Sequence, residues 1–287
     1  TQAPRMSKTT SLPANLAQPF GELRRRYQEI SDLSAAAAVL NWDQATYMPE
    51  GGAEARGRQC ATLSRLAHVR STDPALGKLL EGLAREAESL DPDSDEACLV
   101  RVARRDFEKA VRLPEDFVTR SSEAASASYN AWTRARPAND FATMRPHLER
   151  AVELARECAG YLGPASRIMD PLIDNSDEGM TTETVSTLFA SLRAQLVPLV
   201  RAIAAQPLAD DSCLKGQFPE AAQLAFGLDI AKRFGYDLVR GRLDKTHHPF
   251  CTRFASGDIR ITTRVREDDI SDAYFSTVHE AGHAIYE

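Results

Sequence analysis

From about Pro13 to Arg240 the apolar residues recur three and four apart, with Pro, Gly and Asp clusters as punctuation, and strand-like alternation is nearly missing. A chain with that period buries its apolar stripes by packing helix on helix, so the fold class is mainly α, a helical array. Its 287 residues suffice for one large core or two smaller ones. No Gly/Ser linker, long-period repeat or sustained heptad run divides it. Residues 14–287 therefore read as a single helical domain behind a flexible tail at residues 1–13.

The punctuation predicts the individual helices. A first helix runs from Asn15 through "LRRRYQEISDLSAAAAVL" and is broken by "MPEGG" at Met48 to Gly52, and the next begins near Ala53. Asp73 before Pro74, and Asp91 before Pro92, each set a capping side chain beside a residue suited to the first helical turn, so each pair opens a helix. Further helices start near Pro114, Asn139, Thr182 and Pro219. Phe20, Tyr27, Phe107, Phe117, Tyr129 and Trp132 fall at helical spacings and are read as core, and Trp42 and Tyr47 pack at the end of the first helix. Stretches such as "LVRVARRDFEKAVRLPEDF" intersperse acid with base and are read as solvated helix faces.

After Gly241 the pattern changes. "DIRITTRV", Asp258 to Val265, alternates, so Ile259, Ile261, Thr263 and Val265 face one way while Asp258, Arg260, Thr262 and Arg264 face the other. That strand is the small β element of the fold. A last helix begins near Asp269 or Ser271.

A formal net charge of -6 argues against a nucleic-acid partner, because neutralising phosphates takes a surplus of Lys and Arg. The longest uninterrupted apolar run noted is "AAAAVL", Ala35 to Leu40, short of the roughly 20 residues of a membrane span, so no membrane is expected. Cys60, Cys98, Cys158, Cys213 and Cys251 are odd in number, scattered and without a C-x-x-C pair. That is the usage of buried thiols in a reducing compartment, and no apolar leader follows the basic start, so a cytoplasmic location is expected.

The last helix carries "HEAGH". At 100° per residue, Asp272, Phe275, Ser276, His279, His283, Tyr286 and Glu287 share one stripe, with Tyr274, Val278, Ala281 and Ile285 nearly opposite. His279 and His283 are one turn apart and can aim two imidazole nitrogens at one point about 2 Å from each, which suits Zn²⁺. Glu280 follows the first histidine about a quarter turn round the helix and can act as general base on a water at that cation, giving metal-assisted amide hydrolysis. Ala281 and Gly282 are small enough to let a neighbouring backbone approach. Taken alone, three fixed letters also occur in helices that hold no metal, and a helical scaffold or binding module is the alternative.

A catalytic zinc takes three protein ligands, and this motif supplies two. Glu287 lies eight residues past His279, about 12 Å along the axis, and is read as a solvated or outer residue. Upstream candidates are Asp244, His247, His248, Asp258, Glu267 and Asp268, none with a diagnostic spacing. On the residues alone, His247 and His248 are loop histidines, and Asp258 and Arg260 form a surface ion pair.

Several stretches together resemble the thermostable Taq-type metallocarboxypeptidases, metallopeptidase family thirty-two. They are "NWDQATYMPEGGAEARGRQCATLSRLAH" (Asn41 to His68), "HPF" (His248 to Phe250), the D-x-R-x-T pattern of Asp258, Arg260 and Thr262, and "HEAGHAIYE", in the family's order. The resemblance implies a helical fold with a deep groove, a cytoplasmic homodimer, and removal of single residues from peptide C-termini with zinc or cobalt. It also implies His279 and His283 as ligands and Glu280 as the catalytic carboxylate. Asp258, Arg260 and Thr262 would border the groove, with His248 shaping the site. The family's third ligand is a Glu from a following helix, so the chain is expected to be the N-terminal part of such an enzyme, with weak zinc binding and little turnover alone. An endo-acting helical oligopeptidase is a further alternative.

Overall fold

The computed structural model describes residues 14–287, and the expectation for residues 1–13 lies outside them. The described residues divide into two compact units, residues 14–37 with 57–126, and residues 38–56 with 127–287. The described residues form α1 (Ala14–Thr46), α2 (Ala53–Ser71), α3 (Pro74–Ala87), α4 (Asp95–Ala110), α5 (Glu115–Ala138) and α6 (Phe141–Leu162). They continue with α7 (Asp170–Ser176), α8 (Thr182–Ala204), α9 (Glu220–Arg233), β1 (Leu243–Lys245), β2 (Cys251–Ala255), β3 (Asp258–Thr263) and α10 (Ser271–Tyr286). The mainly α class with a small β element is therefore what this sequence folds into.

In the first unit, Asp73 caps α3 by accepting from the Ala75 amide at 2.8 Å, with Pro74 at the first helical position. Leu76, Leu80 and Leu83 of α3 pack with Leu16, Phe20 and Leu23 of α1 and with Val100 and Ala103 of α4, and Tyr27 and Phe107 close the edge of this core. Asp91 does not open a helix. Its side chain accepts from the Asp93 amide in a turn, and Ser94 caps α4 by accepting from the Ala97 amide at 3.3 Å. Asp95 and Glu96 follow it into the first turn, where negative charge suits the helix dipole, so the later start wins.

In the second unit β3 is central, parallel to β1 and antiparallel to β2. Ile261 pairs with Leu243 on one side and Cys251 on the other. The sequence reading recognised β3 alone. It buries Ile259, Ile261 and Thr263 on the expected face, but Thr262 on the other face is fully buried as well. Gly241 is obligatory beside this sheet, because a Cβ there would lie 2.2 Å from the Tyr236 hydroxyl and 2.6 Å from the Ile259 carbonyl oxygen.

α10 packs on α9 and β3. Its buried residues are Ala273, Thr277, Glu280, Ala281 and Ala284, so the expected apolar stripe of Tyr274, Val278, Ala281 and Ile285 is corrected by a rotation toward small side chains. Ile285 is exposed. Small residues win because α9 comes close: a Cβ on Gly227 would sit 3.2 Å from Thr277 Oγ1. Gly282, by contrast, faces open space and admits no neighbouring backbone.

Among the described residues α8 alone is long and apolar enough to cross a bilayer by length and composition, with a mean hydropathy of 1.2. Arg193 and Arg201 break its apolar residues into short runs. None of its residues is buried.

Candidate metal centre and the loop beside it

The start of α10 is fixed by Asp269, whose carboxylate accepts from Lys215 Nζ at 2.6 Å and from the Ser271 amide at 2.9 Å. The Lys215 ammonium first, and then the Ser271 hydroxyl and amide, hold this carboxyl far below the usual carboxylate range. Two turns on, the helix presents His279 and His283 outward, both exposed, and turns Glu280 into the buried stripe at 6% exposure. The two Nε2 atoms are 3.1 Å apart, with ring planes at 86°.

Two ligands each about 2.05 Å from a tetrahedral zinc lie about 3.3 Å apart, so the pair fits a cation with little adjustment. The Nε2–Nε2 contact is a hydrogen bond when one ring donates and the other accepts. Among the described residues no third His, Cys, Asp or Glu joins the pair. The upstream candidates are engaged elsewhere. Asp244 accepts from Arg242 Nε and Nη2 at 2.6 Å each and from the Tyr47 hydroxyl. Asp258 binds Arg260, Asp268 binds Arg266, and Glu267 accepts from the Glu220 amide. Glu287 pairs with Arg253 at 3.0 Å.

Glu280 and His283 line a cavity of about 370 Å³ whose other wall is Pro249, Phe250 and Cys251. Burial first, and then the charges of Glu280 and Glu287, push the Cys251 thiol up to about 11. That wall is pinned by Thr262, whose hydroxyl donates to the Phe250 carbonyl at 2.9 Å and accepts from the Phe250 amide at 2.8 Å. Thr262, buried and fully used by these bonds, acts through Phe250. His248 lies in the bend before it, edge-on to Trp132 at 6.4 Å, and His247 beside it is exposed.

Arg260 grips Asp258 through Nε and Nη2, both at 2.8 Å, which is the ion pair expected from the residues alone. Sequence reasoning missed what holds it. Its guanidinium stacks between Trp42, 4.4 Å from the ring centroid, and Phe254, at 4.9 Å. Arg242 covers Trp42 as well, at 5.2 Å, and Tyr47 packs against that indole at 5.7 Å. Neither Asp258 nor Arg260 lines the cavity that holds Glu280. No local signal could have found this stack, because Trp42 is far from the strand in sequence.

A helix carrying two histidines at i and i+4, with a carboxylate between them turned toward a strand-edged cavity, is the arrangement of a metallopeptidase. The chain belongs to the carboxypeptidase Taq (M32) metallopeptidase family, whose model matches residues 22–287. It is 38% identical to thermostable carboxypeptidase 1 of Thermus thermophilus over 270 residues, 91% of this chain and 53% of that protein. It is 34% identical to carboxypeptidase 1 of Bacillus subtilis over 269 residues, 93% of this chain and 53% of that one. The crystal structure of the M32 carboxypeptidase from Deinococcus radiodurans R1 superposes with a TM-score of 0.79 at 46% identity, covering 94% of this chain and 54% of the other. The chain thus spans about half the length of the relatives it matches.

Proposed function

We propose that the protein releases C-terminal residues from peptides as a metal-dependent carboxypeptidase, with zinc, or cobalt, held by His279 and His283 and with Glu280 as general base. The observation that carries this reading is the His279–His283 pair at 3.1 Å beside the inward-turned Glu280, in a chain of this family. The cation, when bound, supplies electrostatic polarisation of a water and of the scissile carbonyl. The chain's own residues do the rest. The histidines offer neutral nitrogens, Glu280 takes a proton from the water and passes it to the leaving amine, and Phe250, held by Thr262, walls the cavity. Asp258 and Arg260 border the substrate groove as a rigid pair, and His248 shapes its edge. A third ligand comes from outside the described residues, so this chain alone holds the metal weakly and turns over little. Cytoplasmic location and homodimerisation belong to the same proposal.

The test is zinc content after dialysis, together with hydrolysis. At dialysis equilibrium against a fixed free zinc concentration the unsubstituted chain is expected to hold more zinc than His279→Ala, and Glu280→Gln is expected to match the unsubstituted chain while abolishing any turnover. Equal zinc in His279→Ala removes the ligand assignment and favours a metal-free helical scaffold. Internal fragments from a C-terminally amidated peptide would point instead to an endo-acting oligopeptidase.

A further inference from the structure

A second cavity, of about 640 Å³, shares only His248 with the site proposed above; its lining includes Trp132, Arg136, His247, His248, Arg264 and Arg266. Two of the three guanidiniums are balanced. Arg264 donates to both oxygens of Asp272, at 2.9 and 3.0 Å, and Arg266 binds Asp268 at 2.9 Å. Arg136 has no carboxylate partner among the described residues. The cavity thus presents one uncompensated cation beside an indole wall and two imidazoles, which suits a carboxylate on a short apolar stem.

Its place along α10 says which carboxylate. Asp272, the partner of Arg264, lies seven residues before His279 on the same stripe, about 10 Å along the helix axis. The same loop serves both cavities, with His248 lining this one and Pro249 and Phe250 lining that of Glu280. An extended peptide advances about 3.3 Å per residue, so the cavity sits about three residues from the histidine pair. A carboxylate at the peptide's end would lie a single residue from the bond being cut, too near to reach it. We propose that this cavity, with Arg136 as its anion-binding group and Trp132 as its wall, receives an acidic side chain about three residues before the scissile bond. The proposal rests on the reading of His279 and Glu280 as the reacting centre.

Calorimetric titration of the 287-residue chain in EDTA tests it, because nothing is then cut. Ala-Glu-Ala-Ala-Ala is expected to bind about tenfold more tightly than Ala-Lys-Ala-Ala-Ala, a difference of about 1.4 kcal/mol. Arg136→Ala should bring the two peptides to equal affinity, and amidating both C-termini should leave the preference intact. Equal affinities in the unsubstituted chain, a preference that survives Arg136→Ala, or one that vanishes on amidation each overturns the proposal, the last by assigning the cavity to the chain end. His279→Ala separates the two readings. It is judged by zinc content for the metal centre, and it should leave the Glu preference unchanged; loss of that preference would sink the separate subsite.

Discussion

Replacing Asp244 with Ala tests whether this buried carboxylate is a structural anchor or a missing metal ligand. Its side chain is 3% exposed and takes two hydrogen bonds from Arg242 and one from Tyr47. Each bond to a charged acceptor contributes about 1.5–3 kcal/mol when well buried. Arg242, however, is half exposed and Tyr47 largely so, and both recover water once the carboxylate is gone. The expected loss is therefore about 2–3 kcal/mol, below the full cost of stranding a buried charge. In a chain of this size that lowers Tm by about 3–5 °C, read by circular dichroism. Tyr47 supplies a local readout. Its hydrogen bond to Asp244 is the main cause that raises its phenol above the ordinary value, so ultraviolet titration of the variant should show that group ionising at lower pH. An unshifted Tm accompanied by loss of His279-dependent zinc would refute the anchoring argument and make Asp244 a ligand.

Three further outcomes are expected. Hydrogen bonds from the Thr182 hydroxyl and amide, and then from Ser166, lower Asp170 from 3.8 to about 2, so its contribution is present above about pH 4 and lost as pH falls toward 2; Asp170→Asn should flatten that part of an acid-denaturation curve. Cys213 is exposed whereas Cys251 titrates near 11, so at pH 8 a thiol reagent should label Cys213 first and Cys251 far more slowly, as peptide mapping would reveal; comparable rates would contradict the burial described here. Gly241→Ala forces a Cβ against Tyr236 and the Ile259 carbonyl and should cost about 1–3 kcal/mol in urea unfolding, whereas an unchanged midpoint would show that the contact yields freely.

Where a local rule sets the chain's course, the sequence was legible. Asp73 with Pro74 marks a helix start by capping chemistry, and that helix, like the one expected near Thr182, begins there. At Asp91 two local signals competed, and the Ser94 cap with two acids behind it overrode the Asp–Pro pair. β1 and β2 are three and five residues long and exist through pairing with β3, so neither carries a pattern of its own. The buried face of α10 was misjudged because hydrophobicity weights Tyr, Val and Ile, while close packing against α9 selects Ala and Thr. The histidine pair was readable because i and i+4 is a local spacing. The Trp42–Arg260–Phe254 stack and the Thr262 clamp on Phe250 were not, since each joins residues that only the finished fold brings together.

If Glu280 is the general base proposed above, its inward turn ties reactivity to the interior. Its neighbours on that face are Ala273, Thr277, Ala281 and Ala284, so this carboxylate has no surface position of its own that could be adjusted independently. A side-chain oxygen about 6 Å from a helix axis sweeps about 2 Å when the helix turns by 20°, roughly the difference between touching a substrate atom and missing it. Enlarging any of those alanines to improve packing would rotate or push α10, and an engineer seeking a hardier variant would be retuning the carboxylate's aim with every methyl added.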